Sequence, residues 1–347
     1  MGTDIFASFK DIAEASGCSQ STVSRVLNHK GEISQETRER VMTAARKLGY
    51  HENRLVSGFQ TGRTQTVGLI YDYENPFFQK LFYEIWKQLA ARGYMTISCA
   101  SSTDPDMPGD FELLRRLVEH RVDGVIFVPR DDFAGNDYFD GLISRGIPVI
   151  SIDRKTPADI DFVGTDDYLG GRLAAAHLRE TGRRYIGYIA APDYVIPSIH
   201  RCCGMRDFCA EHPDMSFDVI CRCDGNRLEP SEIRSYFAMH PETDAVAGFF
   251  DTRALQAYVI LREMGLRVPE DVALIGFGNL FSELPTVLRL TTLDQRPDLI
   301  AQTAARRLLE RLGRQHGEPF RPVELRIPPE LIVRESTPVK QENAIVR

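Results

Sequence analysis

From Val67 onward the chain alternates short runs of buried-strand character with amphipathic helical stretches, and this alternation limits the possible folds more than any other feature. VGLIYDY is followed by PFFQKLFYEIWKQLAARG, YMTISCA by FELLRRLVEH, and then GVIFVP; IPVISID, YIGYIA, AVAGFF and DVALIGF continue the series, with helices predicted over Tyr168 to Arg179, Ser198 to Cys209 and Thr252 to Met264. Strands that are apolar throughout need cover on both faces, and the intervening helices supply it, so the pattern predicts parallel sheets sandwiched between helices. About ten such units exceed one ordinary sheet. The chain is therefore expected to form two similar α/β lobes, joined near residues 160 to 166 and again near 291 to 296.

The front of the chain has a different texture. Ser8 with Asp11 forms a capping-box pattern opening a helix through Ala15, Ser19 caps a second through Leu27, and Ser34 caps a third that Gly49 closes. The polar, glycine-containing stretch ENRLVSGFQTGRTQ separates this unit from the lobes. The expected organisation is a headpiece over residues 1–51, a linker over 52–66, a body over 67–337 and a tail over 338–347.

Two helices crossing over a tight turn need a small residue at the contact, a turn residue that tolerates positive φ, and branched apolar residues on the second helix's inner face. Ala13, Gly17, Val23 and Val26 meet these needs at the spacing of a helix-turn-helix. The opposite face carries Gln20, Ser21, Ser24 and Arg25, which are hydrogen-bonding groups suited to base edges in a major groove. An ordinary three-helix core with a polar surface is the other reading of the spacing alone. Charge leans toward the first: residues 1–64 hold nine Lys/Arg against seven Asp/Glu, whereas the remainder holds 33 against 42.

Other classes are less compatible with the sequence. The uncharged stretch from Val272 to Ser282 falls well short of the ~20 apolar residues that a membrane helix needs. MGTDIFASFKDIAEASG lacks the basic and apolar regions of a signal peptide, which predicts a cytoplasmic protein. No GxxxxGK[ST], GxSxG, HExxH or GxGxxG pattern occurs, so neither an enzymatic role nor a cofactor is expected. Seven cysteines is an odd number, and Cys202, Cys203, Cys209, Cys221 and Cys223 fall close together. Cys221 and Cys223 share a strand face, Cys202 and Cys209 share a helix face, and His200 and His212 are nearby, but no CxxC or HxxxC pair is present. Small buried thiols are the favoured account, with cysteine-based metal or redox sensing as the alternative.

The stretch FKDIAEASGCSQSTVSRVLNHKGEISQETRERVMTAARKLGYHEN resembles the headpiece of the lactose and galactose repressor (LacI/GalR) family almost position by position. The resemblance continues through TGRTQTVGLIYDYENPFF, HRVDGVIFVP, GIPVISIDR, VGTDDYLGGRLAAAHL, GLRVPEDVALIGFG and LTTLDQRP, and spans residues 8–337. It implies a DNA-binding transcriptional regulator, most often a repressor: a homodimer or dimer of dimers whose headpieces read a pseudo-palindromic operator. A periplasmic-binding-protein-like body would hold a small polar effector between its lobes. A solute-binding protein would share that body but lack the headpiece.

Carried over by position, Thr22, Ser24, Arg25 and Asn28 match the recognition segment, and Gln20 and Ser21 occupy the positions that most often set base preference. Thr22 is equally suited to a phosphate contact, and Asn28 to closing the helix. Phe59 stands where the family has a minor-groove leucine wedge, and Glu52 where it has a proline. An aromatic ring can replace lost base stacking, whereas Gly58 works against a hinge helix; a plain tether is the other reading of this linker. In the body Asn75, Phe77, Phe78, Asp153, Arg154, Asp166, Arg201 and Asp251 are the expected effector contacts, with Arg201 matching the family's effector arginine and held by Asp153, Asp166 and Asp251. Phe250 and Gly278 depart from the family's asparagine and aspartate, so a typical hexose does not follow from the resemblance.

Overall fold

A computed structural model describes residues 7–28, 31–50, 63–102, 104, 106–130, 136–157, 159–223, 227–281, 288–314 and 321–337. The chain divides into two compact units, residues 1–64 and 65–347.

In the first unit, α1 (Phe9–Ser16), α2 (Gln20–Leu27) and α3 (Gln35–Lys47) enclose a core of Ile12, Ala13, Val23, Val26, Val41, Ala44 and Ala45. All three helices start at the serines expected to cap them. Ser8 Oγ accepts from the Asp11 amide while the Asp11 carboxylate accepts from the Ser8 amide, and Ser19 and Ser34 accept from the amides of Thr22 and Thr37. Gly17 closes α1 at φ +64°, the left-handed conformation that the turn into α2 requires.

The second unit consists of two six-stranded lobes. In the N-lobe, β1 (Thr66–Asp72), β2 (Met95–Ser101), β3 (Gly124–Phe127), β4 (Val149–Ile152), β5 (Asp161–Thr165) and β11 (Glu324–Ile327) are ordered β11-β5-β4-β3-β1-β2, and every pairing is parallel. Helices α4 (Pro76–Ala90) and α11 (Pro297–Leu312) cover one side of this sheet, and α5 (Asp110–Glu119) and α6 (Asn136–Ser144) the other. In the C-lobe, β6 (Tyr185–Ala190), β7 (Ser216–Arg222), β8 (Ala245–Gly248), β9 (Ala273–Phe277), β10 (Thr291–Asp294) and β12 (Glu330–Ile332) are ordered β12-β10-β9-β8-β6-β7. Helices α7 (Asp167–Glu180) and α8 (Ile196–Ala210) lie on one face, and α9 (Pro230–Met239) and α10 (Asp251–Glu263) on the other.

Two features differ from the expected pattern. The short strand β12 runs antiparallel to β10, although the alternation predicted parallel pairing throughout. A third crossing between the lobes, through Pro328 and Pro329, joins those after Thr165 and Asp294. Strands of four and three residues carry too little periodicity to announce such a return in sequence.

Candidate nucleic-acid interface and interlobe site

The core of the first unit dictates what its second helix presents. Val23 and Val26 are fully buried, which turns Gln20, Ser21 and Arg25 outward and leaves Thr22, Ser24 and Asn28 half-buried. Ser19 Oγ lies 2.8 Å from Ser21 Oγ and 2.9 Å from Thr22 Oγ1, so the capping serine orders both hydroxyls at the helix's positive end. Asn28 is the C-cap, and its Nδ2 donates to Ser24 Oγ at 3.2 Å, so it does close the helix. Arg25 extends from the exposed face. Phe59 lies outside the described residues.

In the body, two glycines let α7 and α8 approach backbone to backbone. A Cβ on Gly171 would stand 2.1 Å from the Arg201 carbonyl oxygen, and one on Gly204 would stand 2.1 Å from that of Tyr168. This close approach places Arg201 of α8 beside Asp167, the first residue of α7. The guanidinium is 1% exposed; Nε donates to Asp167 Oδ1 at 2.8 Å, Nη1 to the Phe249 carbonyl at 2.9 Å and Nη2 to Gln295 Oε1 at 3.2 Å. It also stacks 3.5 Å from the Phe277 ring centre, with Phe249 at 4.9 Å and Phe250 at 5.5 Å.

The network crosses the hinge. Gln295, fully buried just after β10, also accepts from Thr165 Oγ1 at 3.1 Å, and Thr165 ends β5 in the other lobe. Gln295 Nε2 is buried without a partner among the described residues. Burial pushes the Asp167 carboxyl up to about 7 against the pull of Arg201, and pushes that of Asp153 up as well. Asp153 sits at φ +64°, its Oδ2 3.9 Å from Arg154 Nε.

The expected effector contacts separate into distinct roles. Phe77 and Phe78 are each 2% exposed and belong to the N-lobe core, because both point from α4 onto the sheet, and Asn75 caps that helix by accepting from the Phe77 amide at 3.0 Å. Asp166 likewise caps α7, accepting from the Leu169 amide at 3.0 Å. Asp251 accepts from the Leu280 amide at 2.8 Å and from Thr292 Oγ1 at 2.6 Å. Leu280 in turn packs against the N-lobe cluster that contains Phe77 and Phe78, so Asp251 secures a contact between the lobes. The partner of Arg201 is thus Asp167, and neither Asp166 nor Asp251 holds it. Gly278 has φ +125°, a conformation that the family's aspartate would adopt only with strain.

Gln295, Thr165, Phe249 and Phe277 were not anticipated from sequence, and Asp167 is marked there only as a helix start beside Asp166, not as the partner of Arg201. Their common signal is position: each lies at or next to the C-terminal end of a strand or the start of a helix, where open α/β sheets gather ligands. The cysteines also separate. Cys202 and Cys209 pack on the α7/α8 face of the C-lobe sheet, and Cys221 and Cys223 on the α9/α10 face. A groove of about 370 Å³ beside α4 and β2, lined by Tyr71, Phe82, Tyr83 and Trp86, shares no residue with the Arg201 network.

The profile for bacterial regulatory proteins of the lacI family matches residues 8–53, and the profile for a periplasmic binding protein-like domain matches residues 175–337. The HTH-type transcriptional regulator CelR of Thermobifida fusca is 31% identical over 345 residues, covering 94% of this chain and 96% of its own length. The ribose operon repressor of Halalkalibacterium halodurans is 28% identical over 334 residues, covering 94% and 96%. The solved transcriptional regulator CelR–cellobiose complex has a TM-score of 0.65 at 28% identity, covering 95% of this chain and 99% of that one. With its helix-turn-helix unit, its two-lobed body and a relative matched at 31% identity over nearly the whole of both chains, the chain belongs to the lacI family of bacterial regulatory proteins.

Proposed function

We propose that this regulator is a cytoplasmic repressor that binds a pseudo-palindromic operator as a homodimer, and that a small polar effector held between the lobes sets its affinity. Gln20, Ser21 and Arg25 are the base-reading groups in this account, Thr22 and Ser24 secure the helix on the duplex, and Phe59 is assigned as the minor-groove wedge. The exposed pair Tyr83 and Trp86, stacked at 5.6 Å beside the edge strand β2, is assigned to the partner protomer.

The observation that supports the effector site most strongly is the hinge network of Thr165, Gln295, Arg201 and Asp167. It joins both lobes and, among the described residues, leaves one buried amide donor, Gln295 Nε2, without a partner. A ligand oxygen there would satisfy that donor and hold the hinge in one arrangement. Three Arg201 nitrogens already have protein acceptors, so the arginine organises the site more than it clamps the ligand. The chemistry fits a neutral polyol such as a sugar, with the Phe250 ring offering an apolar face. One relative is a ribose operon repressor, and the CelR structure is a cellobiose complex.

The test is a thermal-shift screen of sugars, sugar acids and nucleosides, followed by titration of the hit against wild type and Gln295→Leu. The account expects the variant to fold but to bind at least roughly tenfold more weakly, because it cannot complete the hydrogen bond. Equal affinity would remove Gln295 from the effector site.

A further inference from the structure

We propose that Cys221, Cys223 and Glu232 form a binding site for a thiophilic divalent cation of the zinc class, separate from the effector site and independent of the reading given for it. The pairing of β6 with β7 is irregular. In the β6–β7 pairing Tyr188 faces Val219 but Ile189 faces Cys221, so Ile220 is an inserted residue. A bulge of this kind re-aims the side chains that follow it. Before the bulge, Phe217 and Val219 pack toward α7 and α8; after it, Cys221 and Cys223 pack toward α9 and α10. Without the insertion both thiols would share the face of Cys202 and Cys209.

The two sulfurs lie 3.5 Å apart, and a carboxylate oxygen of Glu232 completes a set in which all three ligand atoms are within 4.8 Å of one another. Thiolates held about 2.3 Å from one tetrahedral zinc stand roughly 3.5 to 4 Å apart, so the thiols need little movement to become ligands. Cys221 and Cys223 are 9% and 6% exposed, whereas Glu232, in the first turn of α9, is exposed. The site therefore has a sulfur floor inside the lobe and an oxygen at the surface, with a fourth position open to water. Thiolate donors select zinc-class ions over magnesium or calcium. Binding exchanges two thiol protons for one cation, leaving two sulfur–metal bonds and one oxygen–metal bond, so affinity falls as pH is lowered.

The Cys223 amide donates to the Ala190 carbonyl at 2.9 Å, and the Ala191 amide donates to Ser198 Oγ at 3.0 Å in the helix that carries Arg201. A bound cation would tie this end of β7 directly to α9.

The experiment is titration of reduced full-length protein with Co(II), followed by displacement with Zn(II). One equivalent of Co(II) should produce a sulfur-to-cobalt charge-transfer band that Zn(II) abolishes. Cys221→Ser and Cys223→Ser should each remove the band, and Glu232→Gln, at an exposed position, should weaken binding by about tenfold or more. Wild-type protein saturated with Zn(II) should also protect Cys221 and Cys223, but not Cys203, from alkylation mapped by peptide mass, a readout that needs no variant to fold. An unchanged band in the Cys221→Ser/Cys223→Ser double variant, no band in wild type, or equal alkylation with and without Zn(II) would overturn the proposal.

Discussion

Arg201 and Asp167 form a buried ion pair at 2.8 Å between the helices α8 and α7, and neither side chain is more than 3% exposed. The pair stands where the chain first crosses between lobes. It is therefore placed to act on stability and on lobe geometry together.

Removing one member of such a pair leaves the other charge buried without compensation. Arg201→Met should lower unfolding free energy by about 3 to 5 kcal/mol, whereas Arg201→Met combined with Asp167→Asn should cost clearly less than the sum of the two single changes. Urea denaturation of the four proteins of the cycle measures the coupling. Additive losses would show that the two side chains do not depend on each other.

The pair also gives a pH signature. Burial raises the Asp167 carboxyl to about 7 in the folded protein, against ~3.9 in an unfolded chain. Between these values the folded state holds the extra proton, so this group's contribution to stability is fully present near pH 4 and is lost as pH rises through about 7. Asp167→Asn should flatten that part of the stability profile, by an amount on the order of 2 to 4 kcal/mol. Thermal melts of wild type and variant from pH 5 to 8 provide the comparison, and parallel profiles would place the titration elsewhere.

The glycine contacts behind the pair admit no side chain. Gly204→Ala brings a methyl within 2.1 Å of the Tyr168 carbonyl oxygen, so α7 and α8 must separate. A loss of about 1 to 3 kcal/mol is expected from overpacking, with weaker effector binding as Arg201 shifts. A stable variant with unchanged denaturant midpoint would show that the helices have slack.

Much of this was legible in the sequence where local chemistry acts alone. Ser8, Ser19 and Ser34 cap the helices because their hydroxyls meet nearby amides, and the Val23 and Val26 spacing fixes the outward face of α2. Arg201 stood out by its family motif. Its partner did not, because Asp166 and Asp167 are adjacent and only helix phase decides which one caps and which one turns inward. The bulge at Ile220 was equally hidden: a strand's period of two places Cys221 with Val219, and only pairing with β6 shows the inserted residue.

The outward face of α2 sets a further expectation. Exchanging Gln20 and Ser21 should alter preference at one or two base pairs of each half-site without abolishing binding, since these groups read bases while the backbone contacts remain. Selection from a randomised duplex library with both proteins reads this directly. Identical selected sites would move base reading away from the start of α2.

The exposed face of α2 is expected to read a two-fold-related DNA site. The most direct test is selection from a random duplex library followed by fluorescence-anisotropy titration of wild type and Arg25→Ala, at one fixed salt concentration, on the selected site and on scrambled DNA. The account predicts an inverted repeat bound specifically by wild type, and a loss of about 1 to 3 kcal/mol for the variant on that site with little change on scrambled DNA. Failure to enrich an inverted repeat, or equal binding of both proteins to both duplexes, would contradict it.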